Sequence, residues 1–335
     1  MDILKKAAWI IGSQKKLENI PNSVQGLNSF SATIWAGRCG RLLSSIRSRE
    51  FVNSEQLEVF ANVAGILTVD LDTYLKPLEE LRYLKVKRSA DGAILRVEDC
   101  LLSKEEVLNN TTSLFNTKAK PIEIANLSAL DITAQRPIEE INLKQALYKE
   151  GFLEKDIDKL VDLQVNFQLL QRQEGYGLPQ PFIFNEYIWG QDTKKIAHAI
   201  SSMTPKERQK VEDVTKMIQV SQGFPKQQLH SIDDKTLALL TKIGMLDIVT
   251  ISTSKRDDKD FITTPQMWGT SKLDLLSDDI LDDIKVFLNS VRYGEHYGRI
   301  GTGKITNPVV LVKALLDREK IGPCSAIGTD RKSVV

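Results

Sequence analysis

Thr73-Tyr74-Leu75-Lys76-Pro77-Leu78-Glu79-Glu80-Leu81-Arg82-Tyr83-Leu84 lies at the centre of a stretch, Phe51 to Glu98, that reads as one supersecondary unit. Leu71, Leu75, Leu78 and Leu81 recur at spacings of three and four, which puts them on one face of a helix. Pro77 removes a backbone donor, so that helix is expected to kink there or to begin only near Lys76. Working back, Ser54 reads as the N-cap of an earlier helix through Leu57, Phe60, Ala61 and Ala64, and Gly65 stops it. Working forward, Leu84 to Arg88 and Ala93 to Val97 alternate as strands do. Ser89-Ala90-Asp91-Gly92 joins them with the Asp-Gly pair that tight hairpins favour.

The same plan recurs between Thr204 and Trp268. Thr204-Pro205-Lys206-Glu207 is a cap followed by proline at the first helical position, and Val211, Val214, Met217 and Ile218 continue the helix. Pro225 to Leu229 reads as a short helix and Asp233 to Ile243 as another, ended by Gly244. Ile248 to Ser252 and Phe261 to Thr264 read as strands around the polar tip Ser254-Lys255-Arg256-Asp257-Asp258-Lys259. A third copy is expected to begin at the helix Leu276 to Leu288 and the helix Asn307 to Leu316, with Gly322 to Ala326 as the next turn.

Helix, turn, helix and hairpin, found twice, resemble the winged-helix branch of the helix-turn-helix superfamily. The resemblance covers about residues 50–98 and 204–268, and in part the region from 276 onward. It implies a mainly α fold with small β-hairpin wings, as tandem winged-helix modules joined by a helical linker region. The expected segments are 1–100, with N-terminal helices and the first module, a helical middle at 101–203, a second module at 204–270, and a truncated third at 271–329. In the middle, Ile138 to Glu150 and Lys155 to Arg172 read as amphipathic helices. Phe182-Ile183-Phe184 and Tyr187-Ile188-Trp189 read as a hydrophobic plug between domains rather than a ligand site. The last six residues, 330–335, match the translation of the start of a common sequencing adapter, so the natural chain is expected to continue past Thr329.

Forty-five Lys and Arg against 44 Asp and Glu give no global field, so any nucleic-acid surface must be a local patch. Cys39, Cys100 and Cys324 show no metal-ligand spacing and read as reduced thiols. No apolar run approaches the roughly 18 residues that span a bilayer, and no secretory leader is legible, so a cytoplasmic protein is expected. Gly298 to Lys304 nearly spells a phosphate-binding loop, but Ile305 stands where a magnesium-binding hydroxyl is needed. No other catalytic frame is legible, and the expectation is a protein that is not an enzyme and binds no cofactor.

Winged helices are mostly DNA-binding regulators, and the resemblance therefore implies double-stranded DNA as partner. Arg38, Arg41, Arg47 and Arg49, with Lys85, Lys87 and Arg88 on the first wing, are the candidate phosphate contacts. A solvated face is the other reading of those charges. Thr73 and Lys76, then Lys235, Thr236 and Lys242, stand on the two third helices, and Lys255 and Arg256 on the second wing. Against base readout, Asp70, Asp72, Glu79 and Glu80 crowd the first of those helices with carboxylates. The alternative is a non-catalytic subunit of a larger assembly whose winged helices bind partner proteins or a second copy. The two readings separate on the surface: basic residues converging on one face for DNA, an exposed apolar patch with mixed charge for protein.

Overall fold

A computed structural model of the chain describes residues 1–47, 49, 51–101, 103–175, 177–189, 193–252, 258–264, 278–299 and 303–318. The turn expected at 322–326, the tail at 330–335 and part of the glycine-rich 298–304 segment lie outside those residues. The protein is mainly helical, with small antiparallel sheets of three strands. Two compact units are present: residues 1–175 with 180–187, and residues 176–179 with 188–335.

In the first unit, α1 (Ile3–Leu17), α2 (Ser31–Ile46) and α5 (Lys104–Lys118) pack on one another. Their apolar faces bury Trp9, Ile10, Leu42, Leu43 and Phe115 completely. Glycine spacing sets how close they come. A Cβ on Gly37 would stand 2.5 Å from Cβ of Gln14 on α1, and one on Gly40 would collide with Thr111 on α5. The two glycines, three apart, let both neighbours approach the backbone of α2.

Next come β1 (Val52–Asn53), α3 (Ser54–Val63), α4 (Leu71–Glu80), β2 (Leu84–Arg88) and β3 (Ile94–Asp99). The cap of α3 is Asn53, one residue before the expected Ser54, in a reciprocal capping box with Gln56. Pro77 is accommodated inside α4, which runs unbroken from Leu71. The bond it forfeits is to the carbonyl of Thr73, a residue on the exposed side. Gly92 takes φ 89° at the hairpin tip, and β3 lies between β1 and β2 in the sheet.

The middle of the chain departs from the expected run of helices. There α6 (Pro121–Gln135) is followed by β4 (Ile138–Glu139), α7 (Glu140–Lys149), α8 (Glu154–Asn166), β5 (Leu170–Gln173) and β6 (Phe182–Asn185). The strand order β4-β6-β5 matches that of the first sheet. The helix expected through Arg172 stops at Asn166, because Gln168 turns the chain with a positive φ of 56°. Phe182-Ile183-Phe184 is the fully buried central strand of this sheet.

After α9 (Glu186–Trp189) and α10 (Thr193–Ser202), the second unit repeats the order again. It has α11 (Pro205–Val220), β7 (Phe224–Pro225), a 3-10 turn at Lys226–Gln228, α12 (Asp234–Lys242), β8 (Asp247–Ile251) and β9 (Lys259–Thr263), with sheet order β7-β9-β8. The short helix expected from Pro225 is therefore a strand and a single 3-10 turn. Two further helices follow, α13 (Asp278–His296) and α14 (Pro308–Arg318), and α13 packs on β7 and β8.

Candidate macromolecular interface

The arginines of α2 are used inside the protein. Arg41 donates through Nη1 to Glu18 Oε2 at 2.6 Å and Gln14 Oε1 at 3.0 Å, and through Nη2 to the carbonyl of Val63. One guanidinium thus ties α1, α2 and the end of α3 together. Arg38 donates to the Tyr74 hydroxyl at 3.1 Å, joining α2 to α4. Arg47 is the half-buried C-cap residue of α2. Arg49 is exposed, donates to the carbonyl of Ser45 at 3.3 Å, and lies over the Phe60 ring at 4.8 Å.

On the first hairpin, Lys87 and Arg96 both reach Glu98, at 3.1 and 2.8 Å, and Arg88 reaches Asp72 at 2.9 Å. The hydrogen bond from Lys87 holds the Glu98 carboxyl below its usual range, with Arg96 adding to the effect. Lys85 is exposed and, among the described residues, has no carboxylate partner. The structure therefore brings Arg88 and Asp72 together across β2 and α4, while Arg38 and Arg41 point to different partners.

The outward face of α4 consists of Asp72, Thr73, Lys76 and Glu80. Glu79, expected there too, is half-buried and accepts from the backbone N–H of Val86 at 3.1 Å, bracing the hairpin. On α8, the equivalent helix of the middle region, Glu154, Asp158 and Asp162 form an exposed column at spacing four beside Lys155 and Lys159. Asp158 is paired with Lys144 at 2.7 Å, and Asp162 with Arg172 at 2.8 Å. Acids outnumber bases on the exposed face of both helices.

On α12 the balance is reversed. Asp234, Lys235, Ala238, Leu239 and Lys242 face outward. Asp233 caps the helix by accepting from the N–H of Thr236 at 2.7 Å, and that bond holds its carboxyl below the usual range. Lys255 and Arg256 lie outside the described residues.

Apolar side chains are exposed beside these faces. Val59 and Val63, one turn apart on α3, are each 58% exposed, and Leu67 and Val69 before α4 are 64% and 87% exposed. In the middle region Ile141 and Tyr148 on α7 and Leu153 before α8 are also exposed. Spacing along the chain hides this patch, since none of these residues belongs to the periodic set that marks a buried face. Among the described residues, no group of three or more His, Cys, Asp or Glu is placed to hold a metal ion. No family model matches the chain, and neither a curated protein nor a solved structure matches it.

Proposed function

We propose that the three sheet-bearing segments are tandem winged-helix modules of a non-catalytic subunit that binds partner proteins. The module reading is supported by the order long helix, two-residue strand, helix or 3-10 turn, helix, hairpin, which occurs three times, each time with the last strand between the other two in the sheet. Helices α13 and α14 follow, with no strand between them among the described residues.

One observation carries the choice of partner. The exposed faces of α4 and α8 hold more acid than base, on the helices that a DNA-binding module would lay in a groove. Glu80 on α4 and Glu154 on α8 would face phosphates across a short gap, whereas Asp72, Asp158 and Asp162 are already paired with Arg88, Lys144 and Arg172. The wing cations that could offset them are held by Glu98 and Asp72. Exposed valine and leucine at the same place fit a protein surface instead. Duplex DNA as partner is favoured by α12 alone, through Lys235 and Lys242.

A titration of labelled duplex DNA at 50 and 200 mM salt decides between them. The expected affinity is weaker than about 10⁻⁴ M at the higher salt, below ordinary non-specific DNA binding. Tight binding that falls steeply with salt, and is lost when Lys76, Lys85, Lys87, Lys235 and Lys242 become alanine, would overturn the proposal.

A further inference from the structure

We infer that the outer face of α3 and the segment leading into α4 form a docking site for an amphipathic helix of a partner protein, one whose apolar stripe is flanked by lysine or arginine. The inference rests on the protein-binding reading above and adds to it the surface and the chemistry of the occupant.

The apolar part is a ridge. Val59 and Val63 stand one helical turn apart on α3, and Leu67 and Val69 are exposed in the segment between Gly65 and α4. All four are more than half exposed, whereas Ala61 on α3 and Ala64 at its C-cap are buried completely. An incoming helix meets such a ridge with side chains at i, i+3, i+4 and i+7.

Charge selects the flanks of that helix. From Ser54 to Asp70 the chain carries Glu55, Glu58 and Asp70 and neither lysine nor arginine. The three acids are exposed, and none has a cationic partner among the described residues. Along the chain Glu55 and Glu58 precede the apolar residues and Asp70 follows them. Of the neighbouring cations, Arg41 is occupied by Glu18 and the carbonyl of Val63 and Arg88 by Asp72, while Arg49 lies over the Phe60 ring of α3. A partner with basic flanks thus gains three unspent carboxylates, and one with acidic flanks meets repulsion. In the middle region the positions that correspond to Val59, Val63, Leu67 and Val69 are Gln145, Lys149, Leu153 and Lys155, so only one of the four is apolar there and two are lysines. The apolar, acid-flanked surface therefore distinguishes the first module.

The test uses the full chain with labelled valine and leucine methyls and two synthetic helical peptides that share one leucine stripe, flanked by lysine in one and glutamate in the other. The lysine peptide is expected to shift the methyls of Val59, Val63, Leu67 and Val69, to bind more weakly as salt rises, and to bind at least about tenfold more tightly than the glutamate peptide. Val59→Ser with Val63→Ser is expected to abolish the interaction, and Val69→Ser, at the most exposed position, to weaken it with the fold intact. Equal binding of both peptides, no binding, or unchanged binding by Val69→Ser overturns the site. Shifts confined to Leu153 overturn this site and leave the protein-binding reading standing. Tight, salt-sensitive duplex binding in the separate DNA titration removes that reading itself.

Discussion

Glu123 shows how one residue fixes the geometry of several elements. It is completely buried, and its Oε1 accepts from the N–H and hydroxyl of Thr33 at 2.9 and 3.2 Å while Oε2 accepts from the N–H of Lys120 at 3.2 Å. The carboxylate therefore satisfies donors at the N-termini of both α2 and α6, where the helix dipoles favour negative charge. Glu123→Ala leaves those donors buried and unpaired, and a loss on the order of 3 kcal/mol is expected in urea unfolding, with Glu123→Gln intermediate. Equal stability of Glu123→Gln and the unsubstituted protein would show that the charge itself contributes nothing. Cys39 gives a second residue-scale prediction. Burial pushes its thiol up to about 12, with Lys118 opposing only in part. In a Cys100→Ser, Cys324→Ser variant, a thiol reagent at pH 8 is expected to react only after unfolding; rapid reaction of the native protein would mean that α2 opens locally.

At the scale of the element, the third hairpin carries a pH dependence. Asp260 on β9 accepts from the Thr250 hydroxyl at 2.8 Å and from Lys226 at 3.2 Å, linking β9 to β8 and to the 3-10 turn. The Thr250 hydrogen bond holds its carboxyl below the ordinary 3.8, outweighing burial, which pushes the other way, with Lys226 adding smaller help. Because the folded value is the lower one, the stabilisation is fully present above the unfolded value and disappears as pH falls through the folded one. Asp260→Asn is therefore expected to be less stable near neutrality and to converge on the unsubstituted protein below pH 4, read as denaturation midpoints across pH 2 to 7. A constant difference across that range would remove the ion from the argument. Elements differ in how far the chain announces them. The leucine spacing of α4, the Thr204-Pro205 start of α11 and the Asp91-Gly92 turn all carry local physics that survives folding. The sheet of the middle region does not. Its first strand is two residues long, too short for a period, β5 follows a helix whose amphipathic pattern runs on into it, and β6 is buried on both sides and so lacks alternation. The break between helix and strand is a glutamine with positive φ, a position where glycine or asparagine would have been the signal. The candidate interface was legible as composition, in Asp72, Thr73, Lys76 and Glu80, but not as chemistry, because the partners of Arg38 and Arg41 come from Tyr74 and Glu18, far off in the chain.

For the molecule, the question is which parts form one cooperative body. Residues 1–175 and 180–187 constitute one compact unit containing two sheets and the α1, α2, α5 layer. A fragment of residues 1–187 is accordingly expected to unfold in one calorimetric transition and to give dispersed amide resonances. The N-terminal helix decides whether that layer is a foundation or an attachment. Trp9, Ile10 and Leu17 of α1 are each at most 1% exposed, and burying a large apolar side chain contributes about 1.5–3 kcal/mol. Together they approach the whole net stability of a domain, about 5–15 kcal/mol. Deleting α1 also strips Arg41 of Gln14 and Glu18, leaving a half-buried guanidinium with the Val63 carbonyl as its remaining described acceptor. A fragment of residues 25–187 is therefore expected to lose the transition that 1–187 retains. If it keeps that transition unchanged, α1 is an addition to a body that is stable without it, and Arg41 returns to the set of cations free to meet a ligand.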